Sequence, residues 1–189
     1  MNEIYKARLG LLPVLAERAP AGHIGRTALM KYMYFLQTLR NVRLGYDFSM
    51  YSYGPFDSDV LADLSSAEAL EIVDVTPVQF SGGYGYRITP GSRSKSAKAE
   101  ADQFLRAHSD DIAWLFRVFG SLNSAELELA STIIFVDREL SEIKESQRLT
   151  ELVDRVGEVK PHFSHQQIQR FAQYLIGQEV LRTTTTAKA

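Results

Sequence analysis

Four charged residues in the second half of the chain form the pattern closest to a catalytic motif. Glu158-Val-Lys160, with Asp154 and Asp137 upstream, matches the Asp…Glu-x-Lys set of metal-dependent nucleases. That chemistry requires Glu-x-Lys on a strand, where alternate side chains converge on one metal ion. Here the motif precedes Pro161 in a region with helical spacing, and Glu142-Ile-Lys144 repeats the same pattern. Solvated charges at helix ends therefore account for it better, and a nuclease-like enzyme is the third hypothesis for function.

Other catalytic and metal-binding patterns are weaker. His162-x-x-His165 has a spacing that could supply two metal ligands from one helix, but no third ligand is evident beside it. The chain contains no cysteine, which excludes a disulfide framework, a thiolate metal site and a cysteine nucleophile. It also has neither a Gly-x-Ser-x-Gly elbow nor a glycine motif for phosphates. The sequence therefore predicts a protein that is not an enzyme and that has no metal and no cofactor.

Charge is distributed unevenly along the chain, although the formal net charge is only −2. Residues 1–43 carry seven basic and two acidic residues, whereas residues 44–86 carry seven acidic residues and no Lys or Arg. Such alternation marks either solvated faces or separate faces for partners of opposite charge. The acidic set that we predict to bind a protein partner is Asp57, Asp59, Asp63 and Glu68. The basic set that we consider for nucleic-acid contact is Arg26, Arg40, Arg43, Arg87, Arg93, Lys95 and Lys98.

The N-terminal half has the element order of a winged helix-turn-helix. Apolar spacing predicts three helices, over 3–18, 26–41 and 58–69. We expect the first to be kinked or split near Pro13, because proline removes a backbone donor, and the third to begin at an Asp57 N-cap. A strand that ends at Pro77 and alternating residues up to Ile88 predict a β-hairpin around Ser81-Gly82-Gly83, which would be the wing.

The second half is predicted to be helical. Periodic segments cover 92–108, 110–119, 124–138 and 165–176, and two capping-box pairs, Asn123 with Glu126 and Ser164 with Gln167, begin the last two. The predicted fold class is therefore α+β and mostly helical. A winged-helix-like core over 1–90 would be followed by a C-terminal helical part over 91–180 and a frayed tail over 181–189.

Aromatic residues concentrate between the second and third predicted helices. Two interpretations stay open: a buried seam between the helices and the sheet, or a surface for docking a protein. The cluster consists of Tyr32, Tyr34, Tyr46, Phe48, Tyr51, Tyr53 and Phe56.

Two stretches of the N-terminal half carry a family resemblance. The segment from Gly25 to Gln37, followed by Tyr51-x-Tyr53-Gly54-Pro55-Phe56-x-Ser58, resembles the YwgA-like and Panacea-domain proteins, a group that includes SocA-like antitoxins and phage-associated proteins. The segments 126–132 and 160–164 are similar to C-terminal helices of the YwgA-like branch. The positions that match the family motif are Lys31, Tyr34, Tyr53, Gly54 and Pro55. The resemblance implies a mostly helical, winged-helix-like fold and, in Panacea proteins, neutralisation of partner toxins.

Charge argues against the DNA-binding mode that is usual for a winged helix. The recognition helix would be 58–69, which carries Asp59, Asp63 and Glu68 and no basic residue. DNA phosphates repel an acidic helix that no cation compensates. DNA contact through the basic set stays open, so a winged-helix DNA-binding transcriptional regulator is the second hypothesis.

The leading hypothesis is a non-enzymatic protein–protein interaction module. By resemblance it would be an antitoxin-like or phage-defence-associated regulator, and its partner would be a toxin or a defence component. No apolar run approaches the roughly 18–20 residues that span a bilayer, and the N-terminus lacks the apolar centre of a signal peptide. We therefore expect a soluble, cytoplasmic protein without a membrane partner.

Overall fold

The computed structural model describes residues 2–80, 83–140 and 145–182. The helices are α1 Glu3–Arg18, α2 Arg26–Arg40, α3 Ser58–Ala69, α4 Ser94–Glu100, α5 Asp102–Ala107, α6 Ser109–Phe119, α7 Ser124–Glu139, α8 Glu145–Val159 and α9 His165–Gly177. The strands are β1 Ser49–Tyr51, β2 Gly54–Phe56, β3 Val73–Phe80 and β4 Gly83–Pro90. Strands β1 and β2 form one two-stranded sheet, and β3 and β4 form another that is antiparallel. The predicted mostly helical α+β fold is confirmed.

Local capping chemistry places the starts of α3 and α9 as the sequence predicts. The Asp57 side chain accepts a hydrogen bond from the Asp59 backbone N–H at 2.8 Å and so caps α3. Ser164 and Gln167 form a reciprocal capping box at the start of α9. Within the described residues, none of the helices is long and apolar enough to cross a lipid bilayer.

Helix α1 and strand β3 each continue through a proline at which the sequence predicts an interruption. Helix α1 runs unbroken through Pro13, so of the two predicted alternatives, a kink or a split, the split is wrong. Leu11, Leu12 and Leu15 are almost completely buried around it, and this burial offsets the one missing backbone hydrogen bond. Strand β3 likewise continues through Pro77 to Phe80. A two-stranded sheet leaves an outer edge on each strand, where proline needs no hydrogen-bond partner.

The chain folds into two compact units, and their boundary differs from the predicted one at 90/91. Unit 1 comprises residues 1–49 and 56–124, and unit 2 comprises 50–55 and the chain from 125 onward. Helix α4 belongs to unit 1 because it lies very close to α1. A Cβ at Gly10 would come within 2.4 Å of the Ala101 Cβ and 2.9 Å of the Ala97 carbonyl oxygen. The missing side chain of Gly10 therefore allows the close approach of these helices.

Unit 1 contains the elements that the sequence assigns to a winged helix. They follow in the order α1, α2, α3, β3, β4, and Ile24, between α1 and α2, forms a backbone bridge with Ile88 of β4. The core includes Phe35 stacked on Phe119, with ring centroids 4.0 Å apart. The order and the bridge fit a winged helix, and that finer assignment stays a prediction. Of the wing's predicted turn, Ser81-Gly82-Gly83, residues 81–82 lie outside the described residues and Gly83 begins β4.

Unit 2 combines the short segment Met50–Pro55 with helices α7, α8 and α9. Asp137 at the end of α7 is fully buried and accepts hydrogen bonds from Arg138 Nη1 at 2.6 Å and from the Arg182 backbone N–H at 2.8 Å. Val180 and Leu181, just before Arg182, are buried. The tail predicted to fray over 181–189 is therefore held at 181–182, and 183–189 lie outside the described residues.

Candidate interaction site

The predicted acidic set does not form one exposed face on α3. Asp57 is half-buried, and its two carboxylate oxygens accept hydrogen bonds from the backbone N–H groups of Asp59 and Asp47. Asp63 is only 6% exposed, so it does not share an open face with Asp59. Asp59 and Glu68 are exposed, but they lie nine residues apart, about 13 Å along the helix axis. Whether these two contact a partner stays a prediction.

Asp63 is buried because it belongs to a cluster assembled from distant parts of unit 1. Tyr46 donates its hydroxyl hydrogen to Asp63 Oδ2 at 2.8 Å, and Arg8 Nη1 lies 3.4 Å from the same oxygen. The Arg8 guanidinium also stacks over the Tyr46 ring and donates to the Leu44 and Gly45 carbonyls. Burial raises the pKa of Asp63, although the Tyr46 hydrogen bond and the Arg8 charge oppose the shift. Burial and the neighbouring Asp63 carboxylate also raise the pKa of Tyr46.

Three members of the basic set contact a specific side chain in the structure. Arg40 pairs with Asp111 at 2.8 Å, Lys98 pairs with Glu17 at 2.6 Å, and the Arg26 guanidinium lies 3.4 Å from the centroid of the Tyr86 ring. The remaining four are exposed and form none of the ion pairs found within the described residues: Arg43, Arg87, Arg93 and Lys95. The set therefore comes from four parts of the chain, namely α2, the loop after it, β4, and α4 with its N-cap.

A second carboxylate in unit 1, that of Asp111, has a pKa shifted in the opposite direction to that of Asp63. Burial raises the pKa of Asp111, but hydrogen bonds from His108 and Arg40 outweigh that effect and lower it below its ordinary value. This charge cluster joins α2 to α6 and is part of the structural support of unit 1.

The family-motif positions separate into buried and displayed residues. Lys31 and Tyr34 lie inside α2 and are 2% and 3% exposed. Gly54 and Pro55 are buried, and Gly54 has φ +86°, a backbone conformation that favours glycine. Tyr53 is 72% exposed, and Tyr51 on the same hairpin is 66% exposed. The aromatic cluster therefore divides in the same way, with Tyr32, Tyr34 and Tyr46 buried and the two hairpin tyrosines open to solvent.

A buried ion pair lies directly beneath these two tyrosines. Lys160, only 1% exposed, donates from Nζ to the backbone carbonyl of Ser52, the residue between Tyr51 and Tyr53. The same ammonium group pairs with Glu128 Oε1 at 2.7 Å. We call Tyr51, Ser52 and Tyr53, held in this way, the tyrosine hairpin. Its tip is fixed to α7 and to the segment after α8 by one charge that is removed from water.

Exposed residues around Lys160 extend the surface of the tyrosine hairpin. His162 Nε2 lies 3.5 Å from Glu128 Oε1, and the imidazole ring stacks obliquely on Phe163. Val159 and Pro161, on either side of Lys160, are both exposed. The described residues of unit 2 thus present two tyrosines, a histidine and apolar side chains around a single buried anchor.

The nuclease-like set is not brought together. Asp137 is buried among arginines, whereas Lys160 is buried against Glu128, so these two belong to separate ion-pair groups. Asp154 lies 3.5 Å from His165 on the surface, and Glu158 is exposed. His162 and His165 face different carboxylates. Across 2–80, 83–140 and 145–182, no group of three or more His, Asp or Glu side chains could hold a metal ion.

Sequence reasoning missed the anchor of the tyrosine hairpin. From the sequence, Lys160 is recognised in Glu-x-Lys and in the segment 160–164, and Glu128 only within the segment 126–132, and neither residue is assigned a partner. Lys160 and Ser52 are 108 residues apart, so no local periodicity links them. The one available signal was that Lys160 directly precedes Pro161 at the end of an amphipathic helix. We compared the chain with known proteins: no protein-family model matches it, and no curated protein is significantly similar.

Proposed function

We propose that this chain is a non-enzymatic protein–protein interaction module whose tyrosine hairpin contacts the partner. The observation that carries the proposal is the pair of exposed tyrosines on a turn whose central carbonyl is held by a buried lysine. Tyrosine is enriched among the residues that dominate binding energy at protein interfaces. A turn that is already fixed loses little conformational freedom when a partner binds, and this favours affinity.

The buried Lys160–Glu128 pair supports this interpretation over a purely structural one. Removing two charges from water costs several kcal/mol each, and a well-packed apolar pair is often at least as stable. An ion pair therefore gives little stability here, whereas its directional hydrogen bond to the Ser52 carbonyl orients the hairpin. Orientation of exposed aromatic residues is what a binding site requires.

The resemblance to YwgA-like and Panacea-domain proteins supports an antitoxin-like or phage-defence-associated role. Tyr53, Gly54 and Pro55, three of the five motif positions, lie in or beside the tyrosine hairpin. The partner under this proposal is a toxin or another defence component, and the complex would form in the cytoplasm.

The test is co-purification of the chain with the product of the neighbouring gene, expressed together. Tyr51→Ala with Tyr53→Ala is expected to weaken the complex by about 30-fold or more, because truncation of an interface tyrosine typically costs ~2 kcal/mol. The matched control is Tyr84→Ala with Tyr86→Ala, which removes an exposed tyrosine pair of the same spacing from the β3–β4 hairpin. Equal complex formation by both double variants and the wild type would contradict the proposal.

The alternative, a DNA-binding transcriptional regulator, receives less support. Helix α3 exposes Asp59 and Glu68, and its sequence contains no Lys or Arg. A duplex bound by the exposed members of the basic set would be released steeply between low and physiological salt, and Arg87→Glu or Lys95→Glu would weaken it. A gel shift at two salt concentrations decides this alternative: the absence of a shift with duplex DNA at low salt removes it.

A further inference from the structure

A second pair of exposed tyrosines lies in unit 1, on the hairpin of β3 and β4. Tyr84 is 80% exposed and Tyr86 is 40% exposed. In the antiparallel register Tyr84 is opposite Gln79 and Tyr86 is opposite Pro77, so these four side chains share one face of the sheet. We call this the tyrosine face. Pro77 and Gln79 are also exposed. Ile88 is on the same face but is fully buried, so the exposed part of the face begins at Tyr86 and extends toward the end of the hairpin.

Among the strand residues described for β3 and β4, none on the tyrosine face has a carboxylate, and Arg26 adds a cation to this face. The Arg26 guanidinium stacks on Tyr86 at 3.4 Å from the ring centroid, and Arg26 Nε is buried without a hydrogen-bond partner in the described part of the chain. Asp74 is opposite Thr89 and belongs to the other face, as does the exposed Arg87 opposite Thr76. The charge of this surface is therefore suited to an anion next to an aromatic ring.

The position of Arg26 is not explained by helix stability. Arg26 is the first residue of α2, whose N-cap Gly25 makes no side-chain capping hydrogen bond. A cation in the first helical turn is disfavoured by the partial positive charge of the backbone N–H groups there. By stacking on the exposed Tyr86, Arg26 adds a cation with several hydrogen-bond donors to the tyrosine face.

We infer that the tyrosine face of the β3–β4 hairpin binds single-stranded nucleic acid, independently of the proposed protein partner. Tyr84 and Tyr86 stack on unpaired bases, because aromatic side chains accept the flat face of any base. Arg26, beside the Tyr86 ring, compensates a phosphate of the strand. A duplex conceals the flat faces of its bases, and α3 offers it no cation, so the site selects single strands.

The experiment measures fluorescence anisotropy of a labelled oligothymidylate of about 12 nucleotides, with an oligouridylate and a duplex of equal length as further probes. The wild type is expected to bind both single strands in about 50 mM salt, more weakly in about 200 mM, and the duplex least. Tyr84→Ala with Tyr86→Ala is expected to lose about tenfold or more in affinity. Tyr84→Phe with Tyr86→Phe keeps both ring faces and is expected to bind as the wild type does.

Two further variants separate this inference from the proposed function. Arg26→Gln is expected to weaken binding and to reduce its salt dependence by about one phosphate contact. Tyr51→Ala with Tyr53→Ala is expected to keep full oligonucleotide affinity while it loses the protein partner. The inference is overturned if the wild type binds no single strand at low salt, or if the duplex binds as tightly. It is also overturned if the Tyr84 and Tyr86 double alanine variant loses the protein partner and keeps the oligonucleotide.

Discussion

At the scale of single residues, the buried charges are the ones on which we expect the stability of this chain to depend most. Lys160, Glu128, Asp63 and Asp137 are all nearly inaccessible, and each is held by a specific partner. A buried charge that loses its partner cannot recover its solvation, so removal of one partner costs more than the pair contributes. These residues therefore define where single substitutions act most strongly.

The first prediction concerns Lys160. Lys160→Met leaves Glu128 buried without its cation and the Ser52 carbonyl without its donor, so we expect a loss of about 3–5 kcal/mol in the free energy of unfolding. The double variant Lys160→Met with Glu128→Leu removes both charges and is expected to recover a large part of that loss. Urea unfolding followed by circular dichroism measures both. A single variant that loses less than about 1 kcal/mol would show that the pair is well hydrated.

The second prediction concerns the pH dependence of stability. Because burial raises the pKa of Asp63, its contribution to stability is fully present below its unfolded pKa of about 4 and is lost as the pH rises through the folded value. We expect the wild type to lose stability relative to Asp63→Asn as the pH increases from about 4. Asp111, whose pKa is lowered, has the opposite sign: the wild type should lose stability relative to Asp111→Asn as the pH falls below about 4. Thermal unfolding across a pH series compares the three proteins, and parallel curves would refute both assignments.

At the scale of elements, local chemistry was predictable and long-range partners were not. The caps of α3 and α9 depend on residues two or three positions apart, and the sequence identifies both. The burial of Asp63 depends on Arg8, which is 55 residues away, and on Tyr46, which is 17 away. Helical periodicity alone places Asp63 on the same side of α3 as the exposed Asp59. A periodic pattern contains no information about partners as distant as Arg8 and Tyr46, so it cannot predict that Asp63 is buried. Gly10 shows the same limit of sequence reasoning. In the sequence it only interrupts the helical pattern of α1, whereas in the structure it is the position at which α4 approaches α1.

The third prediction tests the double role of Asp57 at the start of α3. Its two oxygens accept from different backbone N–H groups, those of Asp59 and Asp47. Asp57→Ala loses both bonds and is expected to destabilise unit 1 by about 1–2 kcal/mol. Asp57→Asn keeps one acceptor but turns an amide group toward the other N–H, so we expect an intermediate loss. Ser164→Ala, at the start of α9, is a matched control for a cap whose side chain accepts from one backbone N–H. An Asn variant as stable as the wild type would show that one acceptor is sufficient.

At the scale of the whole molecule, the chain alternates between its two compact units. It leaves unit 1 at Ser49, contributes the tyrosine hairpin to unit 2 and returns at Phe56. The sequence predicts a single division of the chain at 90/91. It could not reveal that the tyrosine hairpin is held by Lys160, more than a hundred positions later. Each unit has its own buried apolar core, so each can lose its structure in a separate transition.

The last prediction tests this independence of the two units. The chain has a single tryptophan, Trp114 in α6 of unit 1, which lies against the edge of Phe119. Its fluorescence therefore reports on unit 1, whereas far-UV circular dichroism reports on the helices of both units. Ile168, fully buried in α9, belongs to unit 2, and Ile168→Ala is expected to cost about 2–5 kcal/mol there. We expect the circular dichroism transition in urea to begin at lower denaturant in this variant, while the Trp114 transition keeps its midpoint. Leu115→Ala, a fully buried position of α6, is the matched control and is expected to move the Trp114 transition. If Ile168→Ala moves both transitions together, the two units unfold as one cooperative structure.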